Sequence, residues 1–135
     1  MNIPIYRAWC EKDSEYAVGF FISDDKENEI LTRLDSGEMY ARGIDTTTLS
    51  IHFPDMLDSQ GNKIFASLQD DGKGGDILKG QVYGISKGKV WDMVAEYKDT
   101  SIWLTRYINN NPHISMPLVY QKNGYRDMKV IGIKE

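Results

Sequence analysis

Apolar and polar positions alternate along this chain in short runs, with Gly, Asp and Asn clustered between them, and that period predicts extended segments rather than long helices. Residues 3–9 begin as a strand, with Ile3, Ile5 and Arg7 on one face and Tyr6 and Ala8 on the other. After a turn at residues 12–15, residues 16–22 are apolar on both faces and read as a central strand, in which Gly19 marks a bulge or a close approach. Residues 29–34 fit two readings. Asp24 with Glu27 resembles a helix capping box, yet Ile30, Thr32 and Leu34 alternate as in a strand. The strand is preferred, because residues 38–42 follow at hairpin distance and β-branched and aromatic residues are plentiful.

Residues 46–53 place Leu49, Ile51 and Phe53 on one face before Pro54 stops the strand. Residues 58–62 have turn chemistry, in which Asp58 can accept the amide two residues on and Gly61 can take positive φ; residues 63–68 resume an extended pattern. Residues 69–76 are polar, hold three glycines and read as a mobile loop. Residues 77–86 and 89–97 flank a hairpin at Lys87-Gly88, although Val90, Val94 and Tyr97 would also suit a helix. Residues 99–111 are the best helix candidate: Thr100 can cap, Trp103 and Tyr107 lie four apart, as do Leu104 and Ile108, and Asn109-Asn110-Asn111-Pro112 ends the run. A strand is the alternative there. The chain closes with residues 118–120, a turn at Asn123-Gly124 and an extended stretch at 129–133.

Short strands at intervals of 8 to 12 residues, without βαβ alternation, predict a mostly β fold, all-β or with one or two short helices, in a small barrel or sandwich. A length of 135 residues and 15.4 kDa suits one domain spanning 1–135, with any subdivision near 69–75 between an acidic N-terminal and a basic C-terminal part. The 41% hydrophobic and 27% charged composition excludes collagen-like, disordered and coiled-coil classes. No membrane partner is expected, since the apolar run at 16–22 is far short of the ~18 residues of a helical span. Cys10 is the one cysteine, which fits a reducing cytoplasm, and no targeting segment is expected.

Charge is unevenly divided. Residues 1–72 carry 14 acidic and 6 basic side chains, whereas residues 73–135 carry 6 acidic and 10 basic. Seven of the 15 aromatic residues lie in the basic part: Tyr83, Trp91, Tyr97, Trp103, Tyr107, Tyr120 and Tyr125. Lys87, Lys89, Trp91, Lys98, Trp103 and Arg106 therefore form a candidate nucleic-acid surface, able to neutralise phosphates and stack bases. The competing reading is that these aromatics pack the core and that the opposite charges attract each other or a second protein.

Catalytic patterns are missing. His52 and His113 fit no zinc spacing, and His52 is expected at the surface or half-buried. Asp70, Asp71 and Asp76 among glycines invite a hard-cation reading but fail the calcium-loop pattern, so no metal is expected. No serine sits in a nucleophile elbow, and Cys10 reads as a small packed hydrophobe. No catalytic residues and no cofactor are assigned. Trp9 is expected in the core, and Asp76, opening a strand after Gly75, is expected to satisfy loop amides.

Four segments taken in order carry a family resemblance: Arg7-Ala8-Trp9, Leu57-Asp58-Ser59-Gln60-Gly61-Asn62-Lys63-Ile64-Phe65, Gly75-Asp76-Ile77-Leu78-Lys79 and Val130-Ile131-Gly132. The chain resembles the YopX family of phage and prophage proteins, which open on Arg-Ala-Trp-Asp, continue with Gly-Leu-x-Asp-x-x-Gly-x-x-Ile-Tyr into Glu-Gly-Asp-Ile, and close on Val-Ile-Gly. Cys10 stands where the family has Asp, and residues 66–74 separate two pieces that are normally almost adjacent. The resemblance implies an SH3-type barrel with additional strands, in an uncharacterised accessory protein of the bacterial host cytoplasm. It brings no catalytic residues. The expected function is binding, by protein interaction with a phage or host partner or by self-assembly into a homo-oligomer; the alternative is nucleic-acid binding, and an unrecognised enzyme comes third.

Overall fold

A computed structural model describes residues 3–82, 85–118 and 125–135. The fold is mostly β, with eleven strands among the described residues: β1 (Ile5–Cys10), β2 (Glu15–Ser23), β3 (Asn28–Arg33), β4 (Met39–Gly43), β5 (Asp45–His52), β6 (Ala66–Ser67), β7 (Asp76–Val82), β8 (Trp91–Lys98), β9 (Ser101–Ile108), β10 (Asn111–Pro117) and β11 (Tyr125–Ile133). They make one sheet in the order β10-β9-β8-β6-β5-β1-β2-β3-β4, from which β7 branches at β8 and carries β11. The expected small barrel is replaced by this open, forked arrangement. The fork arises because β8 gives its first half to β7, at Trp91 to Val94, while its Glu96 pairs in parallel with Ser67 of β6.

The helix expected at residues 99–111 is strand β9, set between two tight turns that join it to β8 and to β10. Asp99 and Thr100 both have positive φ (49° and 61°), as do Asn109 and Asn110 (52° and 62°). Each pair is a two-residue connection of the kind that matches strand twist, so Thr100 turns the chain instead of capping a helix. Between the turns, Trp103, Thr105 and Tyr107 share one face and Ile102, Leu104 and Arg106 the other. Val94 and Tyr97 are likewise in a strand, β8. The expected hairpin of residues 29–34 and 38–42 is present as β3 and β4. The turn expected at Asn123-Gly124, and Tyr83 and Tyr120, lie outside the described residues.

Two apolar clusters share the sheet. The larger gathers Ile51, Ile64, Leu78, Met93, Leu104 and Met128, while the smaller gathers Ala8, Cys10, Ala17, Ile30 and Leu49. Tyr6 and Leu68 pack against both, which joins them across β1 and β5. Cys10 is buried as a packed hydrophobe.

Gly19 is where β2 closes on β3: a Cβ there would sit 2.0 Å from the Leu31 carbonyl oxygen. The glycine loop at residues 69–76, expected to be mobile, is pressed onto the sheet instead. Gly74 donates to the Lys134 carbonyl at 2.9 Å, Lys134 donates back to Gly75 at 2.9 Å, and the Ser67 hydroxyl donates to the Lys73 carbonyl at 2.7 Å. At Gly74, with φ of 85°, a Cβ would lie 2.0 Å from the Thr48 carbonyl oxygen, whereas Gly37, with φ of 90°, faces open space. Gly37→Ala therefore isolates backbone strain and should cost about 1–2 kcal/mol. Gly74→Ala adds a backbone collision and should exceed it, at about 2–4 kcal/mol. Urea midpoints of the two variants test the difference.

Candidate functional site

The four sequence segments singled out by their resemblance meet inside the molecule. Arg7 of β1 is buried and brings Nη2 to 2.8 Å from Asp76 Oδ1, while the same nitrogen donates to the Gly74 carbonyl at 2.9 Å. Its guanidinium carbon lies 4.5 Å from the centre of the Phe65 ring. Asp76 Oδ2 accepts the Phe65 amide at 2.8 Å, so this carboxylate satisfies a backbone amide, as its position in the sequence predicts. Burial pushes the Asp76 carboxyl above its ordinary pKa, and Arg7 and the Phe65 amide recover only part of that cost.

Asp58 holds the second junction. Its Oδ1 accepts the amides of Gln60 at 2.9 Å and Asn62 at 2.8 Å, and Gly61 takes positive φ (83°), both as its turn chemistry predicts. Its Oδ2 accepts the side-chain amide of Asn62 and, at 2.9 Å, the amide of Val130 in β11. Burial raises the Asp58 carboxyl, but the amides of Val130, Asn62 and Gln60 outweigh it and hold the group below its ordinary value.

A third polar group is Glu96, which has no exposed surface. Thr105 donates to Oε1 at 2.5 Å, Lys98 Nζ stands 3.0 Å from the same oxygen, and the Tyr107 hydroxyl donates to Oε2. Gly72 of the glycine loop roofs this cluster, since a Cβ there would lie 2.8 Å from Oε2. Desolvation first, then Glu96, pushes the Tyr107 hydroxyl well above its ordinary pKa. His52, expected at or near the surface, is buried. Its Nδ1 donates to the Ile64 carbonyl at 2.9 Å, and burial holds the ring below its ordinary pKa.

The candidate nucleic-acid residues do not share one surface. Trp91 and Arg106 lie on the core side of β8 and β9, with the guanidinium 4.1 Å from the indole centre. Lys98 and Trp103 lie on the opposite face, where Lys98 is held by Glu96 and the Trp103 indole donates to the Lys98 carbonyl at 3.2 Å. Lys87 and Lys89 are exposed in the turn ahead of β8. Of the three acidic residues in the glycine loop, Asp76 is committed to Arg7, while Asp71 accepts the Lys73 amide. Among the described residues no three potential metal ligands converge.

One wing of the sheet exposes apolar side chains. Along β2, β3 and β4, Ala17 and Ile30 turn to the smaller core cluster. Alternation then sends Val18, Phe20 and Ile22 of β2, Leu31 of β3, and Met39 and Ala41 of β4 outward. Phe20 stands opposite Leu31, and Leu31 opposite Ala41. Phe20, Ile22 and Met39 keep 42%, 41% and 47% of their surface exposed. Trp9, expected in the core, is half-buried: its ring meets Tyr16 edge-on at 5.1 Å and its indole donates to Glu11 at 2.8 Å. Beside this wing a groove of about 300 Å³ is lined by Cys10, Lys12, Asp13, Tyr40 and Arg42 and reaches the strand positions Glu29, Ala41 and Gly43. Arg42 is the cation that is paired there. Arg42 pairs with Glu15 at 2.8 Å and with Asp13 at 3.5 Å, and Asp13 also accepts the Tyr40 hydroxyl. The apolar outward face escapes a search for chemical motifs, and its signal is the run of residues 16–22 that is apolar on both faces.

No protein-family model, curated protein or solved structure matches the chain. Among the described residues no helix is long and apolar enough to cross a membrane.

Arg7→Ala leaves the Asp76 carboxylate buried without its cation and should cost about 3–5 kcal/mol in a denaturant titration. The two carboxylates should answer pH with opposite signs. Asp58, depressed in the folded state, contributes stability above the ordinary carboxylate pKa and loses it as pH falls, so the deficit of Asp58→Asn should grow between about pH 3 and pH 6. Asp76, raised in the folded state, contributes most below the ordinary carboxylate pKa and loses it as pH rises, so the deficit of Asp76→Asn should shrink over the same interval. Chemical denaturation at several pH values reads both trends.

Proposed function

We propose that this chain is a non-catalytic binding protein that works through contacts of its sheet surface with another protein or with copies of itself. The observation that carries this reading is the division between buried chemistry and exposed surface. Arg7, Asp58 and Asp76 are engaged by partners inside the fold, Glu96 is roofed, and Arg42 in the adjoining groove is paired with Glu15. The outward wing of β2, β3 and β4, by contrast, leaves large apolar side chains in water, as a docking surface does. The ordered motifs support a further proposal, that the chain is a phage or prophage accessory protein of the YopX type working in the bacterial host cytoplasm. The excess of acidic residues in its first half and of basic residues in its second favours a protein partner of defined charge.

Affinity capture with the full chain as bait, from bacterial cells in which phage is induced, should recover a stoichiometric protein partner or the chain itself. Recovery should fall at least tenfold when Phe20→Lys places charge on the wing. A nucleic-acid function would instead give a DNA or RNA mobility shift at low salt that collapses as salt rises. That result, with no protein captured, would overturn the reading.

A further inference from the structure

The outward face of β2, β3 and β4 is matched to itself. Its strand positions are Val18, Phe20 and Ile22, then Glu29, Leu31 and Arg33, then Met39, Ala41 and Gly43. Glu29 and Arg33 are the two charges among these strand positions, and neither has an ion-pair partner among the described residues. They lie two residues to either side of Leu31, about 13 Å apart along an extended strand. Opposite them on β4, Gly43 pairs with Glu29 and Met39 with Arg33.

We propose that this face receives the same face of a second copy of the chain, an inference that rests on the binding function above and names its partner. A two-fold axis lying in the interface, across the strands and over Leu31, sets each copy's β3 antiparallel to the other's. That operation lays Arg33 of one copy over Glu29 of the second, and Glu29 over Arg33. It also lays the long Met39 over Gly43, where no side chain competes for the space, and brings Phe20 to Phe20 and Leu31 to Leu31 at the centre. Charge and size are thus complementary under one symmetry operation, whereas a parallel stacking would oppose Arg33 to Arg33 and Glu29 to Glu29. The other end of the sheet path is less receptive to a neighbouring strand, because β10 carries Pro112 and Pro117.

Three strands about 4.8 Å apart and five residues long cover roughly 240 Å², well below the ~800 Å² per partner of a standard stable interface. The dimer is therefore weak and forms by mass action. Sedimentation equilibrium of the full chain from about 10 µM to about 1 mM should show a concentration-dependent monomer–dimer equilibrium. Arg33→Glu and Glu29→Arg should each weaken the dimer at least tenfold, since either creates two like-charge contacts by symmetry. The double variant should return it to within about threefold of the native value, because the pair is restored with its signs exchanged. Phe20→Lys should abolish association, and circular dichroism should show all four variants folded.

A monomer throughout the range overturns the proposal, as does a dimer indifferent to the single swaps or one that the double swap fails to restore. A dimer insensitive to charge but broken by Ala41→Pro would also overturn it, assigning association to edge pairing of β4. If the chain stays monomeric yet captures a host or phage protein through Phe20, the second copy is wrong and the binding function stands. If it neither associates nor captures anything, both fail.

Discussion

A carboxylate withdrawn from water costs several kcal/mol, and a fold that buries one must surround it with partners drawn from wherever the chain can supply them. Asp76 is that group here. Its cation comes from β1, its amide from the residue before β6, and the carbonyl that shares its arginine from the glycine loop. These elements cannot be arranged independently once the ion pair exists. The open sheet has no barrel closure to fix its shape, so the junction at Arg7 and Asp76, and the one at Asp58 and Val130, do the corresponding work from inside.

Glycine lets this happen at close quarters. The glycine loop lies against β5 and β8 closely enough that a methyl group at Gly74 or Gly75 would collide with backbone. It delivers a carbonyl to Arg7 and closes over Glu96 in the same few residues. A segment whose composition reads as slack is thus a clamp. The polar groups beneath it are shielded from water, which leaves the opposite wing of the sheet as the part of the molecule with free contact area.

Much of the fold was legible, because period-two alternation is direct where one strand face is buried. The β3 and β4 hairpin, the close approach at Gly19 and the turn at Asp58 all followed from local residues. The misreading of residues 99–111 has a specific origin. Residues four apart share a face in a helix and in a strand alike, so Leu104 with Ile108 and Trp103 with Tyr107 could not separate the two, whereas the paired turn asparagines could. The same parity explains the scattered cationic residues. Trp103 and Arg106 are an odd number apart, and a strand sends them to opposite faces. The partnership of Arg7 with Asp76 spans about half of the chain, and no local spacing announces it.

The bond from Val130 to Asp58 spans 72 residues, and the two amides exchanged between Lys134 and the glycine loop are nearly as distant in sequence. On a ribosome, the earlier strands emerge long before those donors exist. Asp58 must wait for its Val130 amide until β11 is released, and the loop over Glu96 is held only by its bonds to Ser67 and Arg7 until then. Native structure therefore locks late, and a nascent or prematurely ended polypeptide would present open strand edges to whatever chaperone or neighbouring chain reaches it first.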